Sequence, residues 1–69
     1  MRISARNSIK GTIKSITKGQ VNSEVVLDIG NGVLLTSVIT THAAENLKLK
    51  VGNTAWALVK STEVMIAID

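Results

Sequence analysis

The chain has 69 residues, a net charge of +3, no cysteine and a single histidine, His42. The absence of cysteine excludes disulfides and thiolate metal centres, and one histidine argues against a zinc site within one chain. A domain of this size is marginally stable alone and usually needs a further source of stability. Because 45% of the residues are hydrophobic, we expect other copies of the chain to cover part of the apolar surface.

No apolar run approaches the length of about 18 residues that suggests a membrane-spanning helix. The first residues, 1–4, are not followed by the apolar stretch of a signal peptide. We therefore expect a cytoplasmic protein with a single domain over residues 1–69 and no membrane partner. The modest positive charge suits an anionic ligand.

Alternating apolar and polar residues predict three strands in the first part of the chain. The first covers 8–17, where Ile16 falls out of phase with Ile13, so we expect a bulge near Lys14-Ser15. The next two cover 23–29 and 33–40. Between them lies Gly30-Asn31-Gly32, a hairpin signal because asparagine and glycine tolerate positive φ.

The second part of the chain predicts a short helix and two more strands. The helix covers 42–46, with Thr41 as its N-cap. The strands cover 54–59 and 64–68, which are rich in residues that favour extended structure. Five main strands, with one short helix between the third and the fourth, predict an all-β, OB-like Greek-key barrel.

Three polar clusters are candidates for ligand binding: Ser4-Ala5-Arg6-Asn7-Ser8, Thr40-Thr41-His42 and Lys60-Ser61-Thr62. Their hydroxyl, guanidinium, ammonium and backbone N–H groups are donors, which suits an oxyanion. Ordinary solvated turns with a surface cation remain the alternative interpretation of the first and third clusters. The isolation of the histidine argues against acid–base catalysis.

Enzyme chemistry finds little support in the sequence. The carboxylates form no recognisable catalytic pair, and there is neither a cysteine nucleophile nor a glycine-rich nucleotide loop. We expect a protein that is not an enzyme and has no organic cofactor. OB barrels that bind single-stranded nucleic acid stack bases on aromatic side chains, but Trp56 is the only aromatic residue. Nucleic-acid binding and a purely structural assembly module remain alternatives.

Several stretches together resemble the molbindins, a family of small molybdate- and tungstate-binding proteins. They are Ser4-Ala5-Arg6-Asn7 near the start, residues 19–27, residues 36–40 and residues 60–69. The resemblance spans essentially the whole chain. It implies a five-stranded OB-like barrel, a homo-hexamer built as a trimer of dimers, and molybdate or tungstate held between subunits for storage or homeostasis.

The resemblance also implies the binding residues. One subunit would supply Ser4, Ala5 and Arg6, and its neighbour would supply Thr40, Lys60 and Ser61. Some relatives also use a serine at the position that is Ala43 here, so that contact is not expected in this chain. A second class of oxyanion site would lie at the Val21-Asn22 turn. No side chain is expected to ligate the metal atom directly.

Overall fold

One antiparallel sheet organises residues 2–69, the part of the chain that the computed structural model describes. Its strands are β1 (Asn7–Lys18), β2 (Asn22–Asp28), β3 (Leu34–Thr40) and β4 (Thr54–Val59). Their order across the sheet is β3-β2-β1-β4, so β3 and β4 are the edge strands. The helix α1 (Thr41–Asn46) follows β3, and a short 3₁₀ turn (Ser61–Glu63) follows β4.

The long strand β1 pairs with β4 along its first half and with β2 along its second half. Thr12 is the residue at which the two ladders meet. The register with β2 then shifts between Ile13 and Ser15, so Lys14 is the extra residue of a bulge. A bulge bends its strand and increases the local twist, which lets one strand serve both ladders. The bulge predicted at Lys14-Ser15 is confirmed.

The hairpin between β2 and β3 also follows the sequence prediction. Gly30, Asn31 and Gly32 all have positive φ, at 104°, 53° and 74°. The Asp28 carboxylate accepts a hydrogen bond of 2.9 Å from the Gly30 N–H and so closes the turn. One of the few carboxylates of the chain is thereby used within the hairpin.

The core is small and lies on one face of the sheet. Its buried centre consists of Ile13, Val25 and Leu27. Partly buried hydrophobic side chains surround this centre; they are Ile16, Ile29, Leu35, Ile39, Leu49, Ala55 and Ala57. Along the edge strands burial alternates strictly, which turns Trp56 and Leu58 of β4 outward and leaves each about half exposed. No helix within residues 2–69 is long and apolar enough to cross a membrane.

The predicted N-cap of the helix is wrong by one residue. Thr40 is the cap, because its side-chain oxygen accepts a 3.0 Å hydrogen bond from the Ala43 N–H. Thr41 is the first helical residue and is buried. The alternation of β3 explains the difference: Ile39 faces inward, so Thr40 faces outward and Thr41 turns inward again.

The predicted fifth strand is also wrong for the single chain. Residues 64–69 form no strand, and the sheet has four strands. Val64 has an extended backbone, yet Met65, Ile66 and Ile68 are between 86% and 92% exposed. The segment has the composition of a strand, but it pairs with neither edge strand of its own chain. The all-β class with one short helix is confirmed.

Candidate functional site

Strand pairing brings two of the predicted clusters together. Asn7 is paired with Val59 at the end of the β1–β4 ladder. Arg6 and Lys60 are the next residues beyond this pair, just outside the ends of two strands that lie about 4.8 Å apart. Both side chains are exposed. One chain therefore carries two cationic side chains at the same end of the sheet.

The polar neighbours of this cationic pair are also accessible. Ser4 and Ser61 are exposed and Ala5 is half-buried. The Lys60 carbonyl oxygen accepts a 2.9 Å hydrogen bond from the Glu63 N–H, which closes the 3₁₀ turn and fixes the direction in which Ser61 leaves β4. Hydroxyl groups thus flank Arg6 and Lys60 on both segments. We call Ser4, Ala5, Arg6, Lys60 and Ser61 the strand-end cluster.

Thr40 lies on the other edge strand. Its neighbour Ile39 and the neighbour of Lys60, Val59, both line a mainly apolar cavity of about 570 Å³ between β3 and β4. The Thr40 hydroxyl oxygen already accepts from the Ala43 N–H. Its proton therefore remains free to be donated to a ligand. Across the sheet the partner of Thr40 is Asn22, so the structure groups Thr40 with the turn at Val21-Asn22.

The turn that leads into β2 is well ordered by backbone hydrogen bonds. The Gly19 N–H donates to the Asn22 carbonyl at 3.0 Å, and the Thr41 N–H donates to the Val21 carbonyl at 2.8 Å. Val21 and Asn22 are both exposed. The predicted second-site residues thus lie next to Thr40, beyond the end of β1 that is opposite to Arg6.

Two hydroxyl residues are buried beside this turn: Ser23, which the sequence analysis did not select, and Thr41, which it selected as a ligand candidate and as the helix cap. The Ser23 and Thr41 hydroxyl oxygens are 2.7 Å apart, and the Thr41 hydroxyl also donates to the Gly19 carbonyl at 2.7 Å. A signal was available in the sequence, since two consecutive threonines at the end of a strand must point to opposite faces. One of them had to be buried with a polar partner.

The chemistry available to these groups is recognition of an anion by donors. Within residues 2–69 no group of three or more histidine, cysteine, aspartate or glutamate side chains could hold a metal ion. The strand-end cluster contains a guanidinium, an ammonium and two hydroxyls but no carboxylate. Such a set has many protons to donate and few acceptors to offer.

Comparison with known proteins agrees with this picture. The model of the TOBE domain matches residues 3–66. A probable molybdenum-pterin-binding protein from Haemophilus influenzae is 45% identical over 69 residues, which cover 100% of both chains. The structure of MopII from Clostridium pasteurianum superimposes with a TM-score of 0.92 at 46% identity, covering 97% of this chain and 100% of that one.

A further similar structure contains a ligand. The cytoplasmic molybdate-binding protein ModG, solved with molybdate bound, superimposes with a TM-score of 0.82 at 43% identity. The match covers 88% of this chain and 43% of ModG, which is therefore the longer protein.

Proposed function

This chain belongs to the molbindin family of TOBE-domain proteins, and we propose that it binds molybdate or tungstate. The single observation that carries the proposal is the placement of Arg6 and Lys60 side by side at the paired ends of β1 and β4. Molybdate is bound in the similar protein ModG. The proposed contacts are Ser4, Ala5, Arg6, Thr40, Lys60 and Ser61, with a second site at Val21 and Asn22.

The chemistry of the anion matches these residues. Molybdate and tungstate are tetrahedral dianions at neutral pH, with acceptor oxygens and no proton to donate. Arg6 and Lys60 provide charge, while the Ser4, Thr40 and Ser61 hydroxyls and the Ala5 backbone N–H provide neutral donors. Phosphate is partly protonated at neutral pH and finds no acceptor in such a site. Sulfate has the same charge as molybdate but is smaller, so cavity size discriminates against it.

The exposed surface supports an oligomer. The chain exposes 5754 Å², about 1,600 Å² more than area scaling gives for a monomer of 7.3 kDa. A stable interface of standard size covers about 800 Å² on each partner. The excess is therefore large enough for more than one interface per chain, as a hexamer built as a trimer of dimers requires.

The C-terminal segment is the strongest candidate for contact between copies. Residues 64–69 form no regular element and are unpaired in the single chain, and residues 64–68 are all apolar. As an extended strand, at about 3.3 Å per residue, the segment would span about 20 Å, the length of one strand. The cavity is lined mainly by apolar side chains, which include the core residues Ile13, Val25 and Leu27 and residues of the edge strands β3 and β4. We infer that the segment of a neighbouring copy occupies this cavity, because both are apolar.

Sites between subunits follow from the same arrangement. The segment begins just beyond Lys60 and Ser61, so an exchange between copies draws the strand-end cluster to the boundary between them. Binding there stabilises the oligomer by mass action, because only the assembled form presents the complete set of donors. The protein is a single domain over residues 1–69, acts in the cytoplasm without catalysis or an organic cofactor, and stores or buffers the anion.

Isothermal titration calorimetry tests the proposed function. Purified protein is titrated with sodium molybdate and with sodium tungstate, and sodium sulfate and sodium phosphate serve as controls at the same ionic strength. We expect saturable uptake of both metal oxyanions and none of the controls. Equal heats from sulfate and molybdate would show that the cations attract any dianion, and no uptake would refute the proposed function.

A further inference from the structure

The buried hydroxyl pair Ser23 and Thr41 has no part in the ligand contacts proposed above. Ser23 is 1% exposed and Thr41 is 8% exposed. Burial of two hydroxyls costs free energy unless they are hydrogen-bonded, and here they are joined to each other and to the turn that precedes β2. Their contacts point to the proposed second site.

The hydrogen-bond directions in this pair can be assigned. The Gly19 carbonyl oxygen can only accept, so Thr41 gives its single hydroxyl proton to Gly19 at 2.7 Å. The Thr41 oxygen must then accept the proton of Ser23, at 2.7 Å. A directed chain runs from Ser23 through Thr41 to Gly19. Within a buried chain of this kind, each hydrogen bond polarises the next one and strengthens it.

Thr41 holds a second carbonyl of the same turn through its backbone. Its N–H donates to the Val21 carbonyl at 2.8 Å. The carbonyls of Gly19 and Val21 therefore both point toward Thr41. Since no peptide bond of the described residues is cis, the N–H groups in the same planar units, those of Gln20 and Asn22, point away from Thr41.

We propose that Thr41, supported by Ser23, is a positioning residue for an oxyanion at the Val21-Asn22 turn. By drawing two carbonyl acceptors inward it leaves the N–H groups of Gln20 and Asn22 as donors on the opposite side of the turn. An unprotonated dianion needs donors and is repelled by carbonyl oxygens. This inference rests on the proposed function, since it assigns a cause to the orientation of the second site.

A valine at position 41 is the direct test. It keeps the shape of threonine and its backbone hydrogen bond to Val21, but leaves the Gly19 carbonyl and the Ser23 hydroxyl without their partner, so the peptide unit of Gly19 and Gln20 is no longer held. Thr41→Ser restores the hydroxyl, and Thr17→Val makes the same change at an exposed position of β1. All three changes are placed in an Arg6→Ala/Lys60→Ala background, which removes both cations of the strand-end cluster, so that the remaining molybdate uptake reports the turn. The number of molybdates per chain, their Kd and the ligand-free Tm are measured.

We expect Thr41→Val to weaken the remaining molybdate uptake about tenfold, the equivalent of one lost hydrogen bond. Thr41→Ser should restore it and Thr17→Val should leave it unchanged. A lower Tm with unchanged molybdate binding in Thr41→Val would overturn the inference and leave the proposed function standing. No uptake by the unaltered protein would overturn both. If Thr41→Val does not fold, Ser23→Ala replaces it, and unchanged uptake in that variant overturns the inference equally.

Discussion

Asn7 and Val59 form the terminal pair of the β1–β4 ladder, and through them Arg6 and Lys60 leave the sheet on neighbouring strands. The pairing is a backbone property, so the relative position of the two cations does not depend on any contact between their side chains. The pairing thus fixes the backbone positions of Arg6 and Lys60, while their exposed side chains stay free to adjust to a ligand.

Removing the ammonium of Lys60 should weaken molybdate binding. Hydrogen bonds to charged groups contribute at least about 1.5 kcal/mol, so Lys60→Ala should raise the Kd by tenfold or more. Lys14→Ala is a matched control, since Lys14 is an exposed lysine at the bulge. Isothermal titration calorimetry of both variants compares their Kd values for molybdate. Unaltered affinity in Lys60→Ala would remove Lys60 from the site.

Replacing Thr40 by aspartate should abolish molybdate binding without destabilising the fold. Aspartate is as good an N-cap as threonine or better, so the hydrogen bond to the Ala43 N–H and the Tm should be retained. The carboxylate has no proton to donate and repels a dianion. We expect molybdate binding to be lost without loss of stability. Thr40→Ser, which keeps both the cap and the donor, should bind molybdate with the affinity of the unaltered protein. Unchanged molybdate affinity in Thr40→Asp would contradict the role of Thr40.

A charge in the C-terminal segment should dissociate the oligomer without unfolding the chain. Ile66 is 86% exposed in the single chain, so Ile66→Lys costs the isolated fold little. If the segment lies in the apolar cavity of a neighbour, the buried ammonium is strongly unfavourable there. Size-exclusion chromatography with light scattering should give a smaller species. Val51→Lys, at an exposed turn position, should keep the parent mass.

Glycine at position 48 should stabilise the protein. Lys48 follows the end of α1 with a φ of 53°, a left-handed conformation that glycine adopts without steric cost. We expect Lys48→Gly to raise the free energy of unfolding by about 1 kcal/mol, as relief of left-handed strain predicts. Lys50→Gly, two residues further on, should be neutral or destabilising. Chemical denaturation measures both, and a destabilised Lys48→Gly would show that the lysine side chain makes a contact that outweighs the strain.

The elements that depend on local patterning could be predicted from the sequence. The alternation around Trp56 defined β4 with its observed ends, and the phase slip between Ile13 and Ile16 located the bulge. Both features follow from the two-residue period of a strand, which is visible in any short window. The glycines flanking Asn31 identified the hairpin because these residues tolerate the positive φ that a tight turn requires, which is also a local property.

The features that depend on distant partners could not be predicted. The choice between Thr40 and Thr41 as the cap depends on which side of β3 faces the core, and the buried partner of Thr41, Ser23, lies on another strand. The segment around Ile66 has the composition of a strand, but composition does not say whether it pairs with an edge strand of the same chain. The grouping of Thr40 with Asn22 likewise required the register of β2 with β3.

Native mass spectrometry of the purified protein, with molybdate and with sulfate as the control, is the decisive test of the proposed function. It counts both the copies of the chain and the anions that each assembly carries. We expect a hexamer that takes up several molybdates and no sulfate. A monomer, or an oligomer that takes up no molybdate, would contradict the proposed function.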